Sequence, residues 1–282
     1  FWLQLLPIRT RTLQQRLQTP TLVLRPRPIA SAMGALGEWR IVHHRHIPWK
    51  GRPEPLKLLF EDAGVGFAEM ELAGERPFDA FRDATALAAD DLPWPVMLPP
   101  VLWHRPVDDE EVFVNTLAAC LRYLGGQLGY GTASPAEAAR ADQITQNAVD
   151  FWAEGRASFH PVDSTHRGTY ESQREEGDRV SKEWSADRMH RWLQHFEKIV
   201  WRSGPPEKPA AGGKSATYAD FMLFHVLDAT EAQFNSEFYA MAWDAADIPG
   251  LKRYKEWMSS RPRLKAYLTS DRRRPWAGNS MM

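Results

Sequence analysis

The chain has 282 residues, of which 43% are hydrophobic and 25% charged, with 35 basic against 36 acidic side chains and a formal net charge of −1. This balance argues against a general role in binding nucleic acid or membrane surfaces, because such binding needs a basic excess. No run reaches the roughly 18 apolar residues of a membrane-spanning helix. The single cysteine, Cys120, excludes an internal disulfide and a zinc site built on several thiolates, and it fits a reducing compartment.

The first 32 residues differ in composition from the rest. They contain five arginines and no Asp, Glu or Lys, a pattern typical of organelle presequences. The chain begins with Phe1 rather than Met, so a second interpretation is that translation starts at Met33 and the earlier residues are upstream read-through. Both interpretations stay open, and residues 1–32 are treated as a non-domain segment. The expected location is the cytoplasm, or a mitochondrion or plastid if residues 1–32 are a presequence.

Residues 33–127 predict alternating strands and helices. Pro53 suits the first turn of a helix, where its missing N–H costs nothing, and Gly64 suits the left-handed residue that ends one. Ala68, Met70 and Leu72 alternate with glutamates at the period of a half-buried strand. The predicted order is strand 38–46, helix 52–64, strand 68–72, helix 79–88, strands 101–103 and 112–114, and helix 116–125.

Residues 128–282 predict helices only. Ser134-Pro135-Ala136-Glu137 is a capping box with proline at the first helical position, and Thr217-Tyr218-Ala219-Asp220 has the spacing of another. The residues after the second box, Phe221 to Leu227, are apolar on all sides, which predicts a central helix. Apolar periodicity predicts further helices around 144–152, 189–200, 251–258 and 264–268.

Several stretches, in this order along the chain, resemble the soluble glutathione transferases. They are His46 to Leu56, Leu98 to Leu102, Leu121 to Gly125, Thr217 to Phe221, Pro249 to Leu251 and Ser260 to Leu268. A further segment, from Phe159 to Glu197, is similar to a subgroup found in microbial eukaryotes and bacteria. The resemblance implies an α/β thioredoxin-like N-terminal domain, residues 33–127, followed by an all-α C-terminal helical-bundle domain, residues 128–282.

The function implied by this resemblance is conjugation of the glutathione thiolate to hydrophobic electrophiles, as in detoxification. Glutathione would be the co-substrate, no metal would be needed, and the protein would be a homodimer. A thiol with a reference pKa of about 8.5 must be stabilised as an anion, and the family does this with a Tyr or Ser hydroxyl at the end of the first strand. Here that position is His46, whose imidazole could donate the hydrogen bond instead. Because this residue departs from the family pattern, the alternative is a non-catalytic glutathione-transferase-like binding or structural protein.

The resemblance also assigns the glutathione-binding residues. The backbone of Pro99, before a cis Pro100, would pair with the cysteinyl main chain of glutathione, and Arg52 and Arg82 would lie near its charged ends. The family has Gln-Ser or Glu-Ser at the start of its third helix. Strict counting places Thr116-Leu117 there, whereas a one-residue bulge places Asn115 and Thr116 there and restores an amide and a hydroxyl. We prefer the second register slightly.

Three tryptophans, Trp49, Trp103 and Trp152, are candidates for the electrophile pocket. His44 and His46 would share one face of a strand, but no third ligand is visible nearby, so a metal site is not expected. Cys120 lies in an apolar run and is expected to be a small core residue, which leaves glutathione as the source of any reactive thiol.

Overall fold

The computed structural model describes residues 36–44, 47–71, 94, 96, 99–162 and 169–282. The segment 1–32, His46, Arg82 and the helix predicted at 79–88 lie outside the described residues. The strands are β1 (Glu38–His43), β2 (Ala68–Glu71), β3 (Val101–Arg105) and β4 (Val112–Asn115). The helices are α1 (Glu54–Ala63), α2 (Leu117–Leu128), α3 (Pro135–Ser158), α4 (Arg174–Ala186), α5 (Arg188–Arg202), α6 (Tyr218–Phe234), α7 (Ala242–Ala245), α8 (Pro249–Ser259) and α9 (Pro262–Leu268), with short 3₁₀ turns at Glu171–Gln173 and Glu237–Tyr239.

The four strands form one mixed sheet in the order β2-β1-β3-β4. β1 is parallel to β2 and antiparallel to β3, and β3 is antiparallel to β4. Val101, the first residue of β3, lies opposite Val42 of β1 and Asn115 of β4. The end of β1, the start of β3 and the end of β4 therefore meet at one end of the sheet.

For the described strands and helices of the sheet part, every predicted boundary agrees with the structure to within about three residues. α1 ends at Ala63, and Gly64 has the left-handed backbone, φ 70°, that the sequence predicts. β1 is shorter than predicted, because it ends at His43 instead of His46. Its pairing with β3 stops at Val101, since Pro100 has no N–H to donate to a further rung of the ladder.

The core lies between the sheet and the helices. Alternate residues of the strands, such as Ile41 and Leu102, point into the main core with α1 and α2. The intervening residues, such as Val42 and Val101, form a smaller cluster on the other face with Phe113.

Helix α6 is central in the helical part, as predicted from its apolar sequence. Fourteen of its seventeen residues are buried. The carboxylate of Asp220 starts this helix by accepting the backbone N–H of Thr217 at 2.7 Å. It also accepts the hydroxyl of Tyr254 and the N–H of Ala210, so one buried side chain connects α6, α8 and the preceding loop.

Buried ion pairs join the sheet part to the helical part. Asp62 at the end of α1 accepts two hydrogen bonds from Arg261, before α9, and one from the hydroxyl of Tyr130. Glu54 at the start of α1 accepts Arg273, which also donates to Asp228 of α6. Among the described residues, no helix is long and apolar enough to cross a membrane.

Candidate functional site

The end of the sheet where β1, β3 and β4 meet carries a cis peptide bond. The bond joins Pro99 to Pro100, both of which are buried. Because Val101 lies opposite Asn115, the two prolines lie next to the junction between β4 and α2. The structure therefore brings Pro99, Pro100, Asn115 and Thr116 together, although they come from separate stretches of sequence.

The start of α2 has an unusual backbone. Thr116 precedes its first turn with φ 66°, a region that β-branched residues rarely occupy. No side chain among the described residues caps this helix. Its first backbone N–H groups have no partner within a helix, and such groups bind carboxylates well. Asn115 is the last residue of β4, so both residues of the preferred register stand at this helix start.

Arg52 reaches across from the β1–α1 loop to the helical part. Its guanidinium lies over the Trp152 ring, 5.8 Å from the centroid. The side chain is exposed to solvent yet has protein around much of it, and this partial desolvation lowers the pKa of Arg52. Arg156, one turn further along α3, has a pKa lowered by burial and by the positive charge of Arg52.

The three candidate pocket tryptophans do not lie together. Trp152 is almost fully buried with Arg52 over its ring, and Trp49 is half-buried in the β1–α1 loop. Trp103 lies on the opposite face of the sheet, where it stacks on Phe113 and its indole N–H donates to Glu111. The alternation of β3 explains this position, because Leu102 points to the main core and its neighbour must point away.

Sequence analysis missed a contribution from the C-terminal segment, residues 269–282. The N–H of Lys50 donates to the carbonyl of Pro275 at 3.1 Å, and its ammonium lies 4.2 Å from the centroid of the Trp276 ring. Further on, the carbonyl of Met281 accepts the indole N–H of Trp152 at 2.8 Å. The segment thus packs against the same loop and helix as the candidate site. A run of arginines and one tryptophan, Arg272 to Trp276, was the sequence signal for it.

Lys50 and His225 are buried basic groups beside this segment. The pKa of Lys50 is lowered to about 8, first by burial and then by the nearby charge of Arg273. His225 of α6 lies between the rings of Trp152 and Trp276, and complete burial lowers its pKa to about 3. Burial is the largest cause of both shifts, and burial disfavours a charged group of either sign.

Two further expectations concern metal ions and the protein thiol. Within the described residues, no group of three or more His, Cys, Asp or Glu side chains could hold a metal ion. His43, at the end of β1, is paired with Glu69 at 2.6 Å.

Cys120 is fully buried, as expected, and burial raises the pKa of its thiol to about 12. A thiol with that pKa is not a nucleophile near neutral pH.

The fold matches a known class of protein. Residues 160–271 match the family model described as "Glutathione S-transferase, C-terminal domain". Among solved structures, a sigma class glutathione S-transferase of Fasciola hepatica superimposes with a TM-score of 0.60 at 19% identity, over 82% of this chain and 95% of that one. The chain therefore has the glutathione S-transferase fold, a thioredoxin-like domain followed by a helical domain.

Particular relatives carry the same family name. The chain is 28% identical to "Glutathione S-transferase 1" of Ascaris suum over 76% of this chain and 93% of the relative. It is 26% identical to "Glutathione S-transferase P 1" of Xenopus laevis over 81% and 92%. The glutathione S-transferase of Ascaris lumbricoides superimposes with a TM-score of 0.55 at 25% identity, over 82% and 96%. These findings support the glutathione S-transferase family, whereas the finer resemblance to a subgroup of microbial eukaryotes and bacteria has no support among these animal relatives.

Proposed function

We propose that this protein is a glutathione S-transferase, which conjugates the glutathione thiolate to hydrophobic electrophiles. The observation that carries the proposal is the cis Pro99-Pro100 bond next to the start of α2, with the Arg52 guanidinium over the Trp152 ring of the helical part. It occurs in a chain whose relatives are named glutathione S-transferases. These names favour an enzyme over the alternative of a non-catalytic binding or structural protein.

Glutathione would bind at the end of the sheet where β1, β3 and β4 meet. The backbone of Pro99, just before β3, would pair with its cysteinyl main chain. The uncapped N–H groups at the start of α2, with Asn115 and Thr116, would hold the γ-glutamyl carboxylate. Arg52 and Arg82 would supply positive charge for the carboxylates of the tripeptide.

The thiol of glutathione would then lie near the end of β1. His46 would donate a hydrogen bond to the sulfur and so favour the thiolate, and the nearby cationic groups Lys50 and Arg52 would lower the thiol pKa further. The thiolate attacks the electrophilic carbon, the C–S bond forms and the leaving group departs with its electron pair. Trp49 and the small exposed part of Trp152 would contact the apolar body of the electrophile, whereas Trp103, on the opposite face of the sheet, would not.

The cheapest test of this proposal is retention on immobilised glutathione followed by a conjugation assay. We expect the protein to be retained, to be eluted by free glutathione, and to conjugate chlorodinitrobenzene above the uncatalysed rate. Retention without turnover would instead favour the non-catalytic alternative. If the protein is not retained and shows no turnover, the proposed enzyme function is contradicted.

The role of His46 has its own test. The His46→Phe variant keeps a ring but cannot donate a hydrogen bond, so we expect a loss of kcat with little change in KM for glutathione. The loss should be about 10- to 100-fold, since a hydrogen bond to a charged group is worth about 1.5 to 3 kcal/mol. His190→Phe, a matched ring change on α5, serves as the control. An unchanged kcat would show that another group activates the thiol.

We also propose that the protein is a homodimer, as the family resemblance implies. Light scattering coupled to size-exclusion chromatography should give twice the chain mass of 32.2 kDa. A mass of one chain at micromolar concentration would refute the dimer.

A further inference from the structure

The C-terminal segment contacts the β1–α1 loop at two places beside the proposed thiol donor. The guanidinium of Arg274 donates to the carbonyl of Ile47 at 2.7 Å. One residue further along the segment, the carbonyl of Pro275 accepts the backbone N–H of Lys50 at 3.1 Å. Ile47 directly follows His46 in the chain, and consecutive Cα atoms are only about 3.8 Å apart. The segment therefore holds the loop within one residue of the group that would activate the thiol.

A second contact orients the guanidinium of Arg274. Its other terminal nitrogen lies 3.6 Å from the carboxylate of Glu69, on β2. The same carboxylate oxygen accepts the ammonium of Lys57, on α1, at 2.8 Å and contacts the ring of His43, at the end of β1, at 2.6 Å. Glu69 thus connects two strands, one helix and the C-terminal segment.

The neighbours of Glu69 keep it ionised. Burial alone would raise the pKa of this carboxyl group, but the hydrogen bond from His43 and the positive charge of Lys57 outweigh burial and lower the pKa to about 2. An anion therefore faces Arg274 throughout the neutral pH range. The side chains of Arg274 and Glu69 are only 22% and 26% exposed, so water and salt screen their attraction incompletely.

Arginine suits this position better than lysine would. A planar guanidinium carries donors on separate nitrogens, so one can reach a carbonyl while another faces a carboxylate. A lysine ammonium is a point charge on a flexible stem and does not hold two acceptors in one plane. The neighbouring Arg272 and Arg273 donate to acidic residues of α1 instead. Of these three arginines, Arg274 is the one that contacts the carbonyl of Ile47.

We propose that Arg274 is a positioning residue for thiol activation. Held by Glu69, it fixes the carbonyl of Ile47 and thereby the β1–α1 loop. The inference rests on the proposed function, in which His46 and Arg52 of that loop stabilise the glutathione thiolate. Loss of the guanidinium lets the loop move away from the sulfur, so thiolate stabilisation weakens although no group that would touch glutathione has been removed.

Hydrogen exchange tests the structural half of the proposal in the absence of glutathione. Arg274→Gln should speed amide exchange in the peptide that covers residues 47–52 by about fivefold, the effect of one lost hydrogen bond. Arg272→Gln, two residues away, loses a contact with α1 and is the matched control; its loop should exchange as in the wild type. Equal exchange in Arg274→Gln and the wild type would overturn the proposal.

Kinetics of chlorodinitrobenzene conjugation test the functional half. At pH values below the thiol pKa, we expect Arg274→Gln to lower kcat by about tenfold with little change in KM for glutathione, and to raise the apparent pKa of the pH–rate profile by about one unit. Arg274→Lys keeps the charge without the planar fork, so its values should lie between those of the wild type and Arg274→Gln. A purely structural role would reduce the amount of active protein and leave the apparent pKa unchanged.

The possible failures of this proposal and of the proposed function are distinct. If Arg274→Gln keeps the wild-type apparent pKa, with or without a lower kcat, the positioning role is overturned and the proposed function stands. If the wild type itself shows no turnover, the proposed function is contradicted and the role in thiol activation with it. The exchange measurement would still decide whether Arg274 holds the loop.

Discussion

Arg52 is the residue at which the two halves of the candidate site meet. The sequence predicted it as a glutathione-binding residue from the family pattern, and the structure adds its position over Trp152. A proximity of this kind cannot be predicted from local sequence, because strands β2, β3 and β4 and helices α1 and α2 lie between the two residues in the chain.

Removing the charge of Arg52 should weaken glutathione binding. We expect Arg52→Gln to lower kcat/KM for glutathione by about 10- to 100-fold, since a hydrogen bond to a charged group is worth about 1.5 to 3 kcal/mol. Initial rates at varied glutathione concentration measure this. Arg122→Gln, an exposed arginine on α2 paired with Asp142, is the control and should behave as the wild type. Equal kcat/KM for Arg52→Gln and the wild type would remove Arg52 from the site.

His225 should make the protein less stable in acid. Its pKa is about 3 in the folded state against 6.5 when exposed, so between these values the unfolded chain binds more protons than the folded one. Stability therefore falls as pH drops through this window, by at most about 1.4 kcal/mol per pH unit from this group, and the contribution is fully present above pH 6.5.

The variant His225→Phe tests this directly. It should flatten the pH dependence of the free energy of unfolding between pH 4 and 6.5, measured by urea denaturation. Above pH 7 the curves of the two proteins should run parallel. A variant whose acid slope equals that of the wild type would show that other groups carry the acid sensitivity.

At the scale of single elements, caps and periodicity predicted most helices well. Ser134 accepts the N–H of Glu137 at 3.2 Å at the start of α3, and Gly64 ends α1, both as the sequence indicated. Helix α4 was not predicted, because its buried face is made of Gly177, Ser181 and Ser185. Such small residues give no apolar period, although they allow close packing.

Asp220 and Ser134 both cap helices, but the Asp220 carboxylate also accepts hydrogen bonds from Ala210 and Tyr254, outside its own helix. A pair of variants should show the difference in stability. Asp220→Ala leaves buried donors of Thr217, Ala210 and Tyr254 without an acceptor, so we expect a loss of about 3 to 5 kcal/mol in the free energy of unfolding. Ser134→Ala removes an exposed cap and should cost about 1 kcal/mol. Chemical denaturation of both variants measures the difference. Equal losses would mean that Asp220 acts only as a helix cap.

For the whole molecule, the sequence predicted the order of the two domains but not how they are joined. Arg261 and Asp62 are 199 residues apart in sequence and form a hydrogen-bonded ion pair. The C-terminal segment likewise returns to Lys50 and Trp152, through contacts that depend on the complete fold. Long-range pairs of this kind leave no periodic signal. The same limit explains why Trp103 was placed with Trp49 and Trp152 on residue type alone.

The central claim is that this fold binds glutathione and stabilises its thiolate. The most direct test is the pKa of the bound glutathione thiol, obtained by following the ultraviolet absorbance of the thiolate as pH is varied in the presence of the protein. We predict a pKa clearly below the reference value of about 8.5 for a free thiol. A bound thiol that titrates at or above this value would contradict the claim, as would the absence of glutathione binding.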